Sequence, residues 1–252
     1  MHFIEYDYHE LNQSEAHPSM DCTWDTHWRG RKGLKEDLSD EPLWPTISDY
    51  LNVPGRLLEA GCGTGQWVQF LGKLGHDVIG VDYAASGLEI GREHNPNLNL
   101  IKADFRNLPF EKDSFDYIVS FGAIEHDING PEEALREFLR VLKPNGRFMC
   151  SVPCLNFYWI VGYPWQLIKK WLKCRKTLRR LWGKKKPFIF YQYVWSAGEY
   201  KNILNKCGWG VIDIRGYCPV TKLRRKRFFD SIVNKIDPLY SAHMMMAICR
   251  KL

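Results

Sequence analysis

The sequence predicts an α/β fold built on a doubly wound, mostly parallel sheet. Three observations carry that expectation. The apolar run Leu57-Leu58-Glu59-Ala60 enters a glycine-spaced loop, Gly61-Cys62-Gly63-Thr64-Gly65, and then a helical stretch from Gln66 to Leu71. A second apolar strand, 77–82, ends on Asp82, and a third, 99–105, closes on Asp104. Apolar strands alternating with helical patterns argue for βαβ units. With 252 residues and 45% hydrophobic content, one domain with embellishments is the natural size.

Taken in order, the opening Met1–Asp7 is acidic and aromatic and does not look like a secretory signal. Trp24-Asp25-Thr26-His27-Trp28-Arg29 precedes a helix expected around Glu41 to Leu51. The loop glycines permit a sharp turn and close approach of a ligand to the main chain. Their register, G-x-G-x-G followed by Gln66, departs from the G-x-G-x-x-G of dinucleotide-binding loops. Asp82 is placed to bond vicinal ribose hydroxyls. Near the end, Ser196 caps a helix running to Cys207, and 209–217 and 243–249 read as the last strands.

The loop, the acid before it at Glu59 and the two later strand-end acids together resemble the class I S-adenosylmethionine-dependent methyltransferases. Residues 114–121 look like that family's fourth strand, and 133–148 like its next helix, turn and fifth strand. The likeness is close over 55–153 and loose over 196–252. It implies a Rossmann-like, seven-stranded sheet, mostly parallel with an antiparallel last strand, plus a basic helical insertion before the sixth strand. The single domain then divides into a cap segment (1–50), a cofactor-binding core (51–153), an insertion or lid (154–195) and a closing helix with edge hairpin (196–252). The implied cofactor is S-adenosyl-L-methionine, leaving as S-adenosyl-L-homocysteine. The implied binding residues are Glu59, Ala60, Gly61, Cys62, Gly63 and Gly65 in the loop, Asp82 and Tyr83 at the ribose, and Asp104 and Phe105 at the adenine. Ser120, Phe121 and Gly122 follow the fourth strand; Trp28 packs near the sulfonium and Arg29 meets the cofactor carboxylate. A nicotinamide-binding domain is the competing reading. It lacks support from the glycine register and from the acids at 59, 82 and 104, which suit ammonium, ribose and adenine donors better than a pyrophosphate.

In-line methyl transfer needs alignment and, for an oxygen acceptor, removal of a proton. His126 in Ala123-Ile124-Glu125-His126-Asp127 is the candidate base, with Asp127 second. The plainer alternative is that His126 only shapes the pocket. Tyr163, Tyr191 and Tyr193 are candidate acceptor-pocket residues.

Charge is divided unevenly. Residues 1–150 hold 14 basic against 25 acidic side chains, and 151–252 hold 21 against 4. Residues 155–190 contain ten basic residues and no acid. From Trp165 to Trp182 an apolar arc faces Lys169, Lys173, Lys176 and Arg180, and a second basic cluster spans Lys222–Arg227. The alternatives are a lid over the site, peripheral contact with an anionic membrane surface, or a nucleic-acid surface, the last disfavoured by the Ser120-Phe121-Gly122-Ala123 sequence after strand four. The acceptor expected is a small molecule, anionic or lipid-linked, methylated on oxygen more readily than on nitrogen or carbon. A silent cofactor-binding module and an RNA-directed methyltransferase are the competing functions. Eight cysteines without metal-type spacing suggest a reduced, cytoplasmic chain, peripheral at the inner membrane face if the insertion binds lipid, with no metal site.

Overall fold

A computed structural model describes residues 2–7, 24, 27–28, 34–155, 189–219 and 242–252. The insertion helix at 165–183, the basic cluster at 222–227, Tyr163 and Arg29 lie outside the described residues.

The main sheet has seven strands: β2 (Arg56–Ala60), β3 (Asp77–Asp82), β4 (Leu100–Lys102), β5 (Phe115–Phe121), β6 (Leu142–Pro153), β8 (Trp209–Pro219) and β9 (Ala242–Lys251). Their order is β4-β3-β2-β5-β6-β9-β8. From β4 through β6 the pairs are parallel, whereas β9 runs antiparallel to both β6 and β8. The last strand is therefore the reversed one, as the resemblance implies. A separate two-stranded antiparallel sheet joins β1 (His2–Asp7) to β7 (Ile189–Trp195). That pairing was not expected; nothing local in 2–7 signals a partner so distant in the chain.

Two apolar layers enclose the sheet. On one face α4 (Glu132–Val141) and α5 (Ala197–Lys206) bury Leu135, Phe138, Tyr200 and Leu204 against Phe115, Phe148 and Trp209. On the other, α1 (Trp44–Ile47), α2 (Gln66–Lys73) and α3 (Ala85–His94) bury Ile47, Val68, Leu71 and Leu88 against Leu57, Val78 and Met149. Helices on both faces are what strands buried on both sides require. Trp209 is fully buried, and its indole N–H donates to the Leu135 carbonyl at 3.1 Å, so the ring enters the core with its polar atom satisfied. Ser196 caps α5 by accepting the Glu199 backbone N–H.

Two elements are shorter than expected. The helix around 41–51 is one turn, Trp44–Ile47, continued by a 3₁₀ turn at Ser48–Tyr50. Pro45 starts it well, but its preceding residue Leu43 offers no cap. The third strand of the βαβ series spans only Leu100–Lys102, because Ala103 onward turns across the sheet end. Cysteines 62, 150, 154, 207 and 249 are buried and form no disulfide with one another. Burial pushes Cys154 up to about 11, which leaves it a packed thiol rather than a nucleophile.

Candidate active site

The chain runs outward from β2 through β3 to β4, then crosses back to β5 on the other side of β2. This reversal opens a crevice at the carboxyl ends of the strands, the usual ligand position in such sheets. A cavity of about 270 Å³ lies there. Its walls come from the ends of all four strands: Gly61 after β2, Asp82 at the end of β3 and Tyr83 after it, Asp104 and Phe105 after β4, and Gly122 and Ala123 after β5. Trp24, Trp28, Arg106, His126 and Asp127 complete it.

The glycine loop is positioned by backbone conformation. Gly61, Gly63 and Gly65 all have positive φ, at 79°, 55° and 73°. At Gly63 a second constraint applies: a Cβ would lie 2.4 Å from Trp28 Cζ2, so the indole rests directly on the loop. The Gly63 N–H donates to Asp82 Oδ2 at 2.7 Å, and Ala84 N–H to Asp82 Oδ1 at 2.8 Å. Both carboxylate oxygens are thus aimed by main-chain donors.

Asp104 is held by Arg106. The guanidinium Nε lies 3.0 and 3.1 Å from the two carboxylate oxygens, and Nη2 lies 2.7 Å from Oδ2. Burial pushes Asp104 up, but the side-chain and backbone hydrogen bonds from Arg106 outweigh it, leaving the acid below its usual range. Arg106 Nη1 also donates to Asp127 Oδ2 at 3.2 Å. Asp127 is nearly buried, and its Oδ1 accepts the Asn129 N–H.

His126 stands in an aromatic wall. Its ring centroid is 4.6 Å from Trp24 and 5.1 Å from Tyr191, both edge-on, and Trp24 continues to His27 at 5.3 Å. Nδ1 is 2.7 Å from the Tyr191 carbonyl, which only accepts, so Nδ1 carries the proton and Nε2 is the free acceptor of the neutral ring. Burial pushes His126 down to about 4, with His27 adding to the effect and the Tyr191 carbonyl opposing it. The neighbouring Glu125 is fully buried and pushed up to about 8 by that burial. Its Oε1 is 4.0 Å from His126 Nε2, but at neutral pH this is a neutral acid beside a neutral imidazole, not an ion pair.

The structure brings Gly61, Asp82, Tyr83, Asp104, Phe105, Gly122, Trp28, His126 and Asp127 to the cavity. Among the other described candidates, Glu59, Ala60, Cys62, Gly63, Gly65, Ser120 and Phe121 do not line it. Glu59 lies on β2 facing the same side as Leu57, toward α2, because side chains two apart on a strand share a face. There it accepts the Val68 backbone N–H. Gly65, the residue preceding α2, has no side chain to cap the helix, so the buried Glu59 does this from below. Burial holds its pKa well above the carboxylate range. Cys62 is turned inward onto Gly80, Gly65 meets Leu98 and Leu100, and Ala60 and Gly63 act through the backbone. Ser120 is buried and donates to the Ala60 carbonyl, and Phe121 packs on Trp67. Arg106 was missed. Its signal was available: a strand-end Asp two residues before an Arg permits the local turn in which Arg106 N–H bonds Asp104 Oδ1 at 2.9 Å.

Residues 58–150 match the family model described as a methyltransferase domain. The demethylmenaquinone methyltransferase of Staphylococcus haemolyticus is 38% identical over 108 residues, covering 40% of this chain and 44% of that protein. Its namesake from Renibacterium salmoninarum is 37% identical over 101 residues, covering 39% and 42%. The chain thus matches less than half the length of these curated relatives. Among solved structures, a methyltransferase from Methanosarcina mazei superposes with a TM-score of 0.59 at 18% identity, covering 84% of this chain and 99% of that one. A Burkholderia thailandensis 1,6-didemethyltoxoflavin-N1-methyltransferase, solved with its acceptor and S-adenosylhomocysteine, superposes with a TM-score of 0.56 at 15% identity, covering 97% and 99%. At those identities the superpositions speak to fold. Over residues 58–150 the chain is similar to a methyltransferase domain, and it shares its fold with these solved S-adenosylmethionine-dependent methyltransferases.

Proposed function

We propose that the protein binds S-adenosylmethionine in this crevice and transfers its methyl group to a small planar acceptor, releasing S-adenosylhomocysteine. The observation that carries the reading is the convergence of Gly61, Asp82, Tyr83, Asp104 and Phe105 on one cavity at the sheet's reversal point. When bound, the cofactor supplies an activated methyl on a sulfonium, and the protein's task is alignment. The residues present fit that group. Asp82, with both oxygens oriented by amides, would take the ribose hydroxyls, and the half-exposed Tyr83 would cover the nucleoside. Asp104 would take the adenine amino group beside the Phe105 backbone. The Trp28 face on the glycine loop suits a cationic sulfur. The structure gives no support to Glu59 as the ammonium partner, since it serves α2.

For an oxygen acceptor, His126 Nε2 is the acceptor-side group positioned to take the hydroxyl proton. Asp127 is committed to Arg106 and Asn129 and is the second candidate. The aromatic wall of Trp24, His126 and Tyr191 favours a planar, ring-shaped acceptor, consistent with relatives named for a quinone substrate. Lipid linkage of the acceptor, and peripheral contact of the basic 154–195 segment with an anionic surface, belong to the same proposal. No helix among the described residues is long and apolar enough to cross a membrane.

The test is radiolabelled methyl transfer from S-adenosylmethionine to a quinol extract, alongside calorimetry with S-adenosylhomocysteine. Labelled product is expected, and Asp82→Ala should weaken product binding by about 100-fold, the loss of two charge-assisted hydrogen bonds. Binding without any labelled product would support the silent module instead.

A further inference from the structure

We propose, on the methyltransferase reading above, that Arg106 is a positioning residue that couples recognition of the nucleoside to the acceptor-side loop. The argument rests on where its two acids come from. Asp104 follows β4 and Asp127 lies in the loop after β5, and in the sheet these strands are separated by β3 and β2. Three inter-strand spacings amount to ~14 Å. Yet one guanidinium contacts both acids, through Nε and Nη2 on Asp104 and Nη1 on Asp127. The two loops therefore arch toward each other above the ends of β3 and β2, and Arg106 ties the arch.

Each side of the tie is fixed further. Asp127 accepts the Asn129 N–H through Oδ1, and its carbonyl accepts the Gly130 N–H, so the turn after His126 is closed around it. Asp127 is also the most buried of the three side chains, at 4% against 32% for Asp104 and 35% for Arg106. A buried carboxylate needs a charged or hydrogen-bonding partner, and Arg106 is the cation that supplies it. The same arginine orients the oxygens of Asp104 that the proposed function assigns to the adenine amino group. Displacing Asp104 thus displaces Asp127, and with it the backbone that carries His126. Lysine cannot substitute, because a point charge lacks the fork that reaches two carboxylates in different directions.

The experiment is calorimetry of S-adenosylhomocysteine binding to the wild type and to R106A, R106K, D127N and the R106A/D127N double variant, with steady-state kinetics for each. R106A should weaken binding by about tenfold or more. D127N, although assigned no contact with the nucleoside, should weaken it in the same direction, and the double variant should be no worse than R106A alone. R106K keeps a cation beside Asp127, which protects the fold, and should still lose most of the coupling and lower kcat without restoring binding. Fully additive losses, an unchanged or tighter R106A, or an R106K indistinguishable from wild type would each overturn the coupling. If the wild type binds no S-adenosylhomocysteine, the methyltransferase reading itself fails, an outcome separate from those three.

Discussion

The two ends of the cavity are built on opposite electrostatic plans. At the end lined by Asp82 and Asp104, both acids are partly exposed and aimed by amides or by Arg106, which holds Asp104 below its usual range. At the acceptor end, Glu125 and His126 are buried and both neutral at pH 7, the acid pushed up to about 8 and the imidazole down to about 4. The first plan suits binding of hydroxyl and amino donors by fixed acceptors. The second keeps charge out of the place where a cationic sulfur must meet an incoming nucleophile, leaving one lone pair, on His126 Nε2, available for a proton. The contrast teaches that titratable residues in one pocket are set by their backing. Asp82 is backed by main-chain N–H groups, whereas Glu125 is backed by Tyr200 and Cys150.

The sharpest way to break the contrast is at His126. His126→Ala should lower kcat by about 100-fold or more if Nε2 takes the acceptor proton, in the range general bases contribute, while leaving S-adenosylhomocysteine affinity within about twofold. Steady-state rates and calorimetry on one preparation separate the two effects. The pH profile adds a second criterion: with the imidazole pushed down to about 4, activity should hold as pH falls through 6.5 and decline only nearer that lower value. A wild-type activity that halves near pH 6.5 would mean that Nε2 is not the titrating base.

A smaller effect is expected at Glu125, and it is read in stability. A carboxyl whose folded pKa is raised above the ordinary 4.5 favours folding fully below 4.5 and progressively less as pH rises toward 8. His126 acts in the opposite sense: buried neutral, it costs stability as pH falls from 6.5 toward 4, when the unfolded chain charges first. Glu125→Gln removes only the first dependence. Its melting temperature should exceed that of the wild type by about ten degrees at pH 8, roughly 4 kcal/mol, and match it near pH 4.5. Thermal unfolding across that interval decides the matter. A variant equally stable at both ends would show that Glu125 is ionised in the fold.

How much of this was legible follows the same division. The nucleoside end is local: strands at period two ending on Asp82 and Asp104, and a loop whose glycines are forced into positive φ, are written within about fifty residues. The acceptor end is assembled from afar. The Tyr191 carbonyl that fixes the His126 tautomer is 65 residues away, and β1 meets β7 across about three-quarters of the chain. No periodicity encodes such contacts. Glu59 is a different case: its place beside the loop is local, but the face it occupies is decided by strand alternation, and counting from Leu57, which packs against α2, puts Glu59 under that helix too.

That point yields the smallest and most discriminating prediction. Glu59 and Asp82 are both acids beside one glycine loop, yet one is turned to α2 and the other lines the cavity. Glu59 is buried, burial pushes its carboxyl well above the usual range, and it accepts the Val68 N–H. Glu59→Gln retains the acceptor carbonyl and the shape, and should cost less than about 1 kcal/mol in denaturant unfolding, with S-adenosylhomocysteine affinity within about twofold. Glu59→Ala removes the cap of α2 and leaves a void, which should cost about 2 kcal/mol. If Glu59 instead met a cofactor ammonium, the glutamine variant would lose affinity by tenfold or more while remaining as stable as the wild type. The two readings therefore move opposite observables, and one pair of variants separates a helix cap from a ligand contact at the same loop.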